Sequence, residues 1–316
     1  MSSKTLQKQP LQPKTSPKNK IKFLLSKFDS PIVIEFCKFA TSDYTYTIYN
    51  IQYTLYNFTT YSSKLRYFIE FAYNGKNFHG FQSQPDASSV QETLENALST
   101  LFREKTVIVG AGRTDSGVHA KQMYAHFETE LDLDSEYWSQ KLNSFLPPSI
   151  VVHCIIPVHE TAHARFDATS RTYEYYMHTF KDPFISDGSW YHSNHLDLDK
   201  MNEACKILFE YTDFECFSKV HTDVNTFNCK ISEAHWKQSK NQLIFTITAD
   251  RFLRNMVRAI VGTMVNIGLD KIEVADLRTI IESKNRGKAG FSVPAQGLYL
   301  VNVAYPYIKE REKINE

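Results

Sequence analysis

From about residue 64 the chain runs in blocks whose hydrophobic spacing fits one element at a time. Tyr67, Ile69, Phe71 and Tyr73 fall at every second position of residues 66–73, the period of a half-buried strand, and Asn74-Gly75 supplies the turn that ends it. Ser89 and Glu92 then form a capping box. Val90, Leu94, Ala97, Leu98, Leu101 and Phe102 follow at the spacing that lines one helix face. Residues 106–109 and 124–127 predict two further strands around a loop at 110–120. A comparable order returns after residue 170: a strand over 172–178, a helix over 201–209, strands near 231–236 and 243–249, and a helix over 253–267. Two β-α-β-β halves, 64–169 and 170–308, predict an α+β protein of two related, ferredoxin-like domains with antiparallel sheets and a central cleft. Ligands preferentially sit in such clefts.

The ends of the chain read differently. Residues 1–20 are rich in Lys, Gln, Ser and Pro with almost nothing apolar, too little to offset the entropy of ordering, so they are expected to be a disordered tail. Residues 41–63 are rich in Tyr, Thr and Asn, with strand propensity but no turn signals, and residues 309–316 form a charged tail. The net charge is +1, and residues 1–63 alone hold eight lysines against Asp29, Glu35 and Asp43, which leaves the remainder slightly negative. RNA-binding proteins are usually more basic, so any RNA site is confined to a local patch of Arg and Lys. No apolar run is long enough to cross a bilayer and no signal-peptide pattern opens the chain, which makes the cytoplasm the expected location and excludes a membrane partner. The five cysteines, Cys37, Cys154, Cys205, Cys216 and Cys229, are scattered and contain no Cys-x-x-Cys pair, so neither a disulfide framework nor a thiolate zinc site is suggested.

The densest chemistry lies in Gly110-Ala-Gly-Arg-Thr-Asp-Ser-Gly-Val-His-Ala120. Three glycines in eight positions permit backbone shapes and ligand approach that side chains would block. In an extended chain Arg113 and Asp115 project to the same side. A cation near a carboxylate favours its ionised form, which a nucleophile or base requires. Asp-Ser-Gly is also ordinary turn chemistry, so the residues alone leave both readings open. A rival signal is His159-Glu-Thr-Ala-His163, which satisfies the His-Glu-x-x-His pattern that sets two zinc ligands one turn apart on a helix. Its context is unfavourable: residues 151–156 are a β-type run, Pro157 interrupts, and no further Gly or His completes a metzincin.

Gly-Arg-Thr-Asp-x-Gly-Val-His-Ala resembles the signature of TruA-type tRNA pseudouridine synthases. The resemblance extends in order through Tyr73-Asn-Gly-Lys-Asn-Phe-His-Gly-Phe-Gln-Ser-Gln-Pro85, His163-Ala-Arg-Phe-Asp-Ala-Thr-Ser-Arg-Thr-Tyr-Glu-Tyr175, Phe252-Leu-Arg-Asn-Met-Val-Arg-Ala-Ile-Val-Gly262 and Ala295-Gln-Gly-Leu-Tyr-Leu300. It implies the pseudouridine synthase fold and an isomerase that needs no cofactor and no metal. It also implies a homodimer acting on uridines 38, 39 and 40 of the tRNA anticodon stem and loop. By the same resemblance Asp115 is the catalytic carboxylate, Tyr173 the aromatic that contacts the target base, and Arg258 the arginine paired with the carboxylate. Arg113 is expected to meet RNA phosphate or the space left by the flipped base. Phe81 stands where this family commonly has Trp, and Phe291-Ser-Val is less typical before the last block. Residues 1–63 have no counterpart in the resemblance, and Met1 is the sole methionine before Met123, so translation is expected to start near Leu65 from a non-AUG codon.

Overall fold

The computed structural model describes residues 64–220 and 225–308, so the expectations for residues 1–63 and 309–316 lie outside the described residues. The chain order is β1 (Leu65–Tyr73), α1 (Val90–Phe102), β2 (Val109–Gly110), β3 (His119–Thr129), α2 (Ser135–Phe145), β4 (Ile150–Val158), β5 (Ser170–His178) and β6 (Trp190–Tyr191). It continues through α3 (Leu198–Leu208), β7 (Ile231–Ser239), β8 (Gln242–Ala249), α4 (Met256–Gly268), α5 (Asp276–Glu282) and β9 (Leu298–Ala304).

The strands form one nine-stranded sheet in the order β4-β1-β3-β9-β5-β8-β7, with β2 added to β3 and β6 to β5. The α+β architecture is as expected, but the two sheets are continuous. Strand β9 joins them, pairing antiparallel with β5 and running parallel to β3 at His119↔Tyr299 and Ala120↔Leu300. The short β5–β6 pairing is parallel too, so the sheet is mixed. Two hydrophobic cores lie along it. One packs α1 and α2 on β1, β3 and β4; the other packs α3, α4 and α5 on β5, β7 and β8. Tyr173 touches both cores, and β9 divides its apolar residues between them, Leu298 to one and Leu300 and Val303 to the other.

Strand β1 departs from the half-buried pattern. Phe68 and Glu70 are buried as well as Tyr67, Ile69 and Phe71. The C-terminal segment covers the second face, where Tyr305 and Tyr307 meet Phe68 edge-on at 5.1 and 6.1 Å, while Tyr124 donates its hydroxyl to Glu70 at 2.9 Å. Buried on both faces, the strand is a central one. Helix α1 begins where the capping box places it, with Ser89 Oγ accepting from Glu92 N at 3.2 Å.

Candidate active site

The loop 111–118 between β2 and β3 is held by main-chain bonds from β3 and from the segment 78–81. Ala111 N donates to Tyr124 O at 2.8 Å, Phe81 N donates to Thr114 O at 3.4 Å, and Gly117 N donates to Phe78 O at 3.3 Å. The segment 78–81 approaches so closely that a Cβ on Gly80, which sits at φ +95°, would lie 2.5 Å from the Thr114 carbonyl oxygen. A side chain there is excluded by both backbone shape and space. Tyr73 Oη and Thr114 Oγ1 are hydrogen-bonded at 2.9 Å, and burial pushes the Tyr73 phenol above its ordinary range. Gly112, by contrast, has open space where a side chain would stand.

The opposite wall comes from α4. Eleven of its thirteen residues are buried, and the exceptions are Arg258 and Asn266. Arg258 is half-buried. Its Nε donates to Val293 O at 2.7 Å and its Nη1 to Asp115 Oδ2 at 3.2 Å, joining residues 143 positions apart. The Val293 carbonyl is in place because the chain at 290–293 packs directly on the helix backbone. A Cβ on Gly262 would lie 1.9 Å from Phe291 O, and Gly290 N donates to Thr263 Oγ1 at 2.8 Å. Arg254, just before the helix, brings its Nε to 3.7 Å from Asp115 Oδ1. Asp115 thus faces two guanidinium groups, one fixed by a second bond and one exposed.

Tyr173 lies on β5 beside this pair, its ring edge-on to Phe252 at 5.1 Å. Burial pushes its phenol up to about 12, with Arg171 opposing and the Asp115 carboxylate adding to the rise. Arg113 is exposed on the loop and makes no hydrogen bond or ion pair to a described residue. The structure thus brings Asp115, Arg258 and Tyr173 together and leaves Arg113 free at the rim. The sequence reading missed Arg171. Its guanidinium donates to four carbonyls, Nη1 to Ala168 O (3.1 Å) and Asp250 O (2.7 Å), Nη2 to Ala111 O (3.1 Å) and Arg165 O (2.7 Å). It pins the Asp115 loop to the ends of two other segments. Nothing in its local sequence distinguishes it from a strand-edge arginine, because its partners are main-chain atoms.

The His-Glu-x-x-His stretch is not helical. It follows the end of β4 as a turn, where His159 packs on Tyr307 and His163 on His126 and Phe166. His163 Nδ1 already accepts from Arg165 N and Phe166 N at 3.1 and 3.3 Å. No group of three His, Cys, Asp or Glu side chains among the described residues is arranged to hold a metal ion.

The family model for tRNA pseudouridine synthase matches residues 70–167 and 204–306. Among curated proteins, tRNA pseudouridine synthase A of Parabacteroides distasonis is 54% identical over 242 residues, covering 76% of this chain and 96% of that protein. The protein of that name from Bacteroides thetaiotaomicron is 53% identical over 244 residues, covering 76% and 91%, and the one from Bacillus subtilis 39% over 238 residues, covering 74% and 96%. A carboxylate from a loop of one half and an arginine from a helix of the other, in a chain matched across both halves, lead to one assignment: this chain belongs to the tRNA pseudouridine synthase family.

Proposed function

We propose that this protein isomerises uridine to pseudouridine at positions 38, 39 and 40 in the anticodon stem and loop of tRNA, with Asp115 as its catalytic carboxylate. The observation that carries the reading is the Asp115–Arg258 pair at 3.2 Å, the arginine anchored by its second bond to Val293 O. The name of the relatives, tRNA pseudouridine synthase A, supports the substrate class. In the isomerisation the bond between ribose C1′ and uracil N1 breaks, the ring turns, and C1′ joins C5. The C5 proton leaves and N1 gains one, so the balance calls for no oxidant, reductant or group donor. Asp115 acts on the ribose, either as nucleophile at C1′ or as the base that takes a ribose proton. Both roles demand a carboxylate fixed in direction, which the Arg258 contact and the loop's main-chain bonds supply.

The target uridine must leave its stack to reach this carboxylate, and Tyr173 offers a ring against which the base is held. Arg113, exposed and planar, suits RNA phosphate or the place of the extruded base. Two copies of the chain forming a homodimer pool their local basic strips on one tRNA, which offsets the nearly neutral charge of the single chain. The enzyme works in the cytoplasm, and among the described residues no helix is long and apolar enough to cross a membrane.

Because C5 loses its hydrogen, tRNA carrying uridine tritiated at C5 reports the reaction directly. Tritium is expected to enter the water in proportion to the uridines at 38, 39 and 40. A transcript without uridine at those positions is expected to release none, and equal release from both transcripts, or none from either, overturns the assignment.

A further inference from the structure

We infer that the turn carrying Arg165 and Phe166 is a second contact for the substrate RNA, with Phe166 stacking on an unpaired nucleobase near the target uridine and Arg165 meeting a phosphate beside it. The inference rests on the tRNA reading above. Phe166 is 75% exposed, yet the turn that presents it is firmly tied. Asp167 Oδ2 accepts from His163 N at 2.7 Å, Ala164 N donates to His126 Nδ1 at 3.1 Å, and Tyr305 Oη donates to Ala164 O at 2.5 Å. The His163 ring supports Phe166 at 4.3 Å between centroids, and the Arg165 guanidinium carbon lies 5.7 Å from the Phe166 centroid. An exposed ring on a tied turn loses little further entropy when a base stacks on it.

Its position relative to the candidate active site is set by Arg171. The same Nη2 atom donates to Arg165 O and to Ala111 O, so the turn and the Asp115 loop share one donor. The exposed Arg113 stands two residues beyond Ala111 on that loop, which places cationic side chains on two segments joined at that donor. Aromatic rings combined with Arg are the usual means of holding unpaired nucleotides without reading their sequence. Phe184 is more exposed still, at 94%, but its segment 180–188 holds no arginine to meet a phosphate beside the ring.

The test uses the full chain with tRNA transcripts carrying 2-aminopurine at single positions of the anticodon loop, whose fluorescence falls on stacking. Phe166→Leu is expected to raise KM roughly 5- to 150-fold, the range of one base–aromatic stack, with kcat within about twofold of the parent. It is also expected to remove the quenching at one loop position, and Phe166→Trp to restore both. Arg165→Ala is expected to lower the slope of log affinity against log salt by about one, and it keeps the test open should Phe166→Leu fold poorly. A Phe166→Leu enzyme with parental KM and quenching, while the parent makes pseudouridine, overturns the contact and leaves the function standing. A variant altered only in subunit association overturns it too, since a second copy of the chain then covers the ring. A parent that makes no pseudouridine removes the tRNA reading itself.

Discussion

Arg258 divides its guanidinium between two acceptors, Val293 O through Nε and Asp115 through Nη1. Lysine has one compact ammonium and no planar array, so it cannot serve both at once. Arg258→Lys is expected to lower the single-turnover rate on tRNA roughly 100-fold, the scale of a misplaced reacting group, while tRNA affinity changes little; a rate within threefold of the parent contradicts the positioning role. His126 makes a prediction about pH. Burial, joined by the repulsion of His163 and Arg66, holds its pKa near 4, against about 6.5 in an unfolded chain. The unfolded chain therefore binds the proton more readily, so this contribution is complete above pH 6.5 and is lost as pH falls towards 4. The loss amounts to about 3 kcal/mol at most. Denaturation midpoints of the parent are expected to fall across that window, and those of His126→Asn to fall less; parallel curves rule His126 out as the cause. At this scale the sequence was only partly legible. Tyr173 and Arg258 were named on a resemblance, and Asp115 and Arg113 on the loop's own chemistry as well, whereas Arg171 carries no sequence signal because it binds main-chain carbonyls, two of them in distant segments.

Helix α4 shows how an element sets the site. Its contact with residues 290–293 needs two bare backbones, since a Cβ on Gly262 meets Phe291 O at 1.9 Å and one on Gly290 meets Thr263 N at 2.4 Å. Gly262→Ala forces the segment away from the helix and with it the Val293 carbonyl that anchors Arg258. It is expected to cost about 1–3 kcal/mol in urea unfolding and to reduce activity together with stability. Unchanged stability would mean that the two backbones are not in contact. Among the elements, α1 was readable because its apolar stripe is complete and Ser89 caps it. Helix α2 went unseen because it buries only Ser139 and Leu142 while Tyr137 and Phe145 stay exposed, leaving no stripe; its signal was Asp134, which caps Tyr137 N at 2.7 Å. Residues 106–109 were read as a strand, yet only Val109–Gly110 pairs with β3. The half-buried reading of β1 failed because its second face is covered by Tyr305 and Tyr307, more than 230 residues away, which no local period discloses.

At the scale of the whole molecule, β9 makes one sheet of two halves, and the candidate site draws on both, the Asp115 loop from one and α4 from the other. Pairing strands so distant in the chain leaves no periodic trace, so the sequence could show the repeated order but not the continuity of the sheet. The nearly neutral chain concentrates cationic groups locally, with Arg113, Arg165 and Arg254 all exposed. tRNA affinity is accordingly expected to fall steeply between 50 and 200 mM salt as phosphate contacts release counterions. An affinity independent of salt, measured by filter binding, would contradict a phosphate-contacting surface. The central claim is that Asp115 performs uridine isomerisation in tRNA. Its most direct test incubates the purified protein, and separately its Asp115→Ala variant, with unmodified tRNA transcripts and maps pseudouridine by chemical labelling and primer extension. Pseudouridine is expected at positions 38 to 40 with the parent and none with a folded, tRNA-binding variant; equal modification by the two proteins, or none by the parent on a competent transcript, would contradict the role of Asp115.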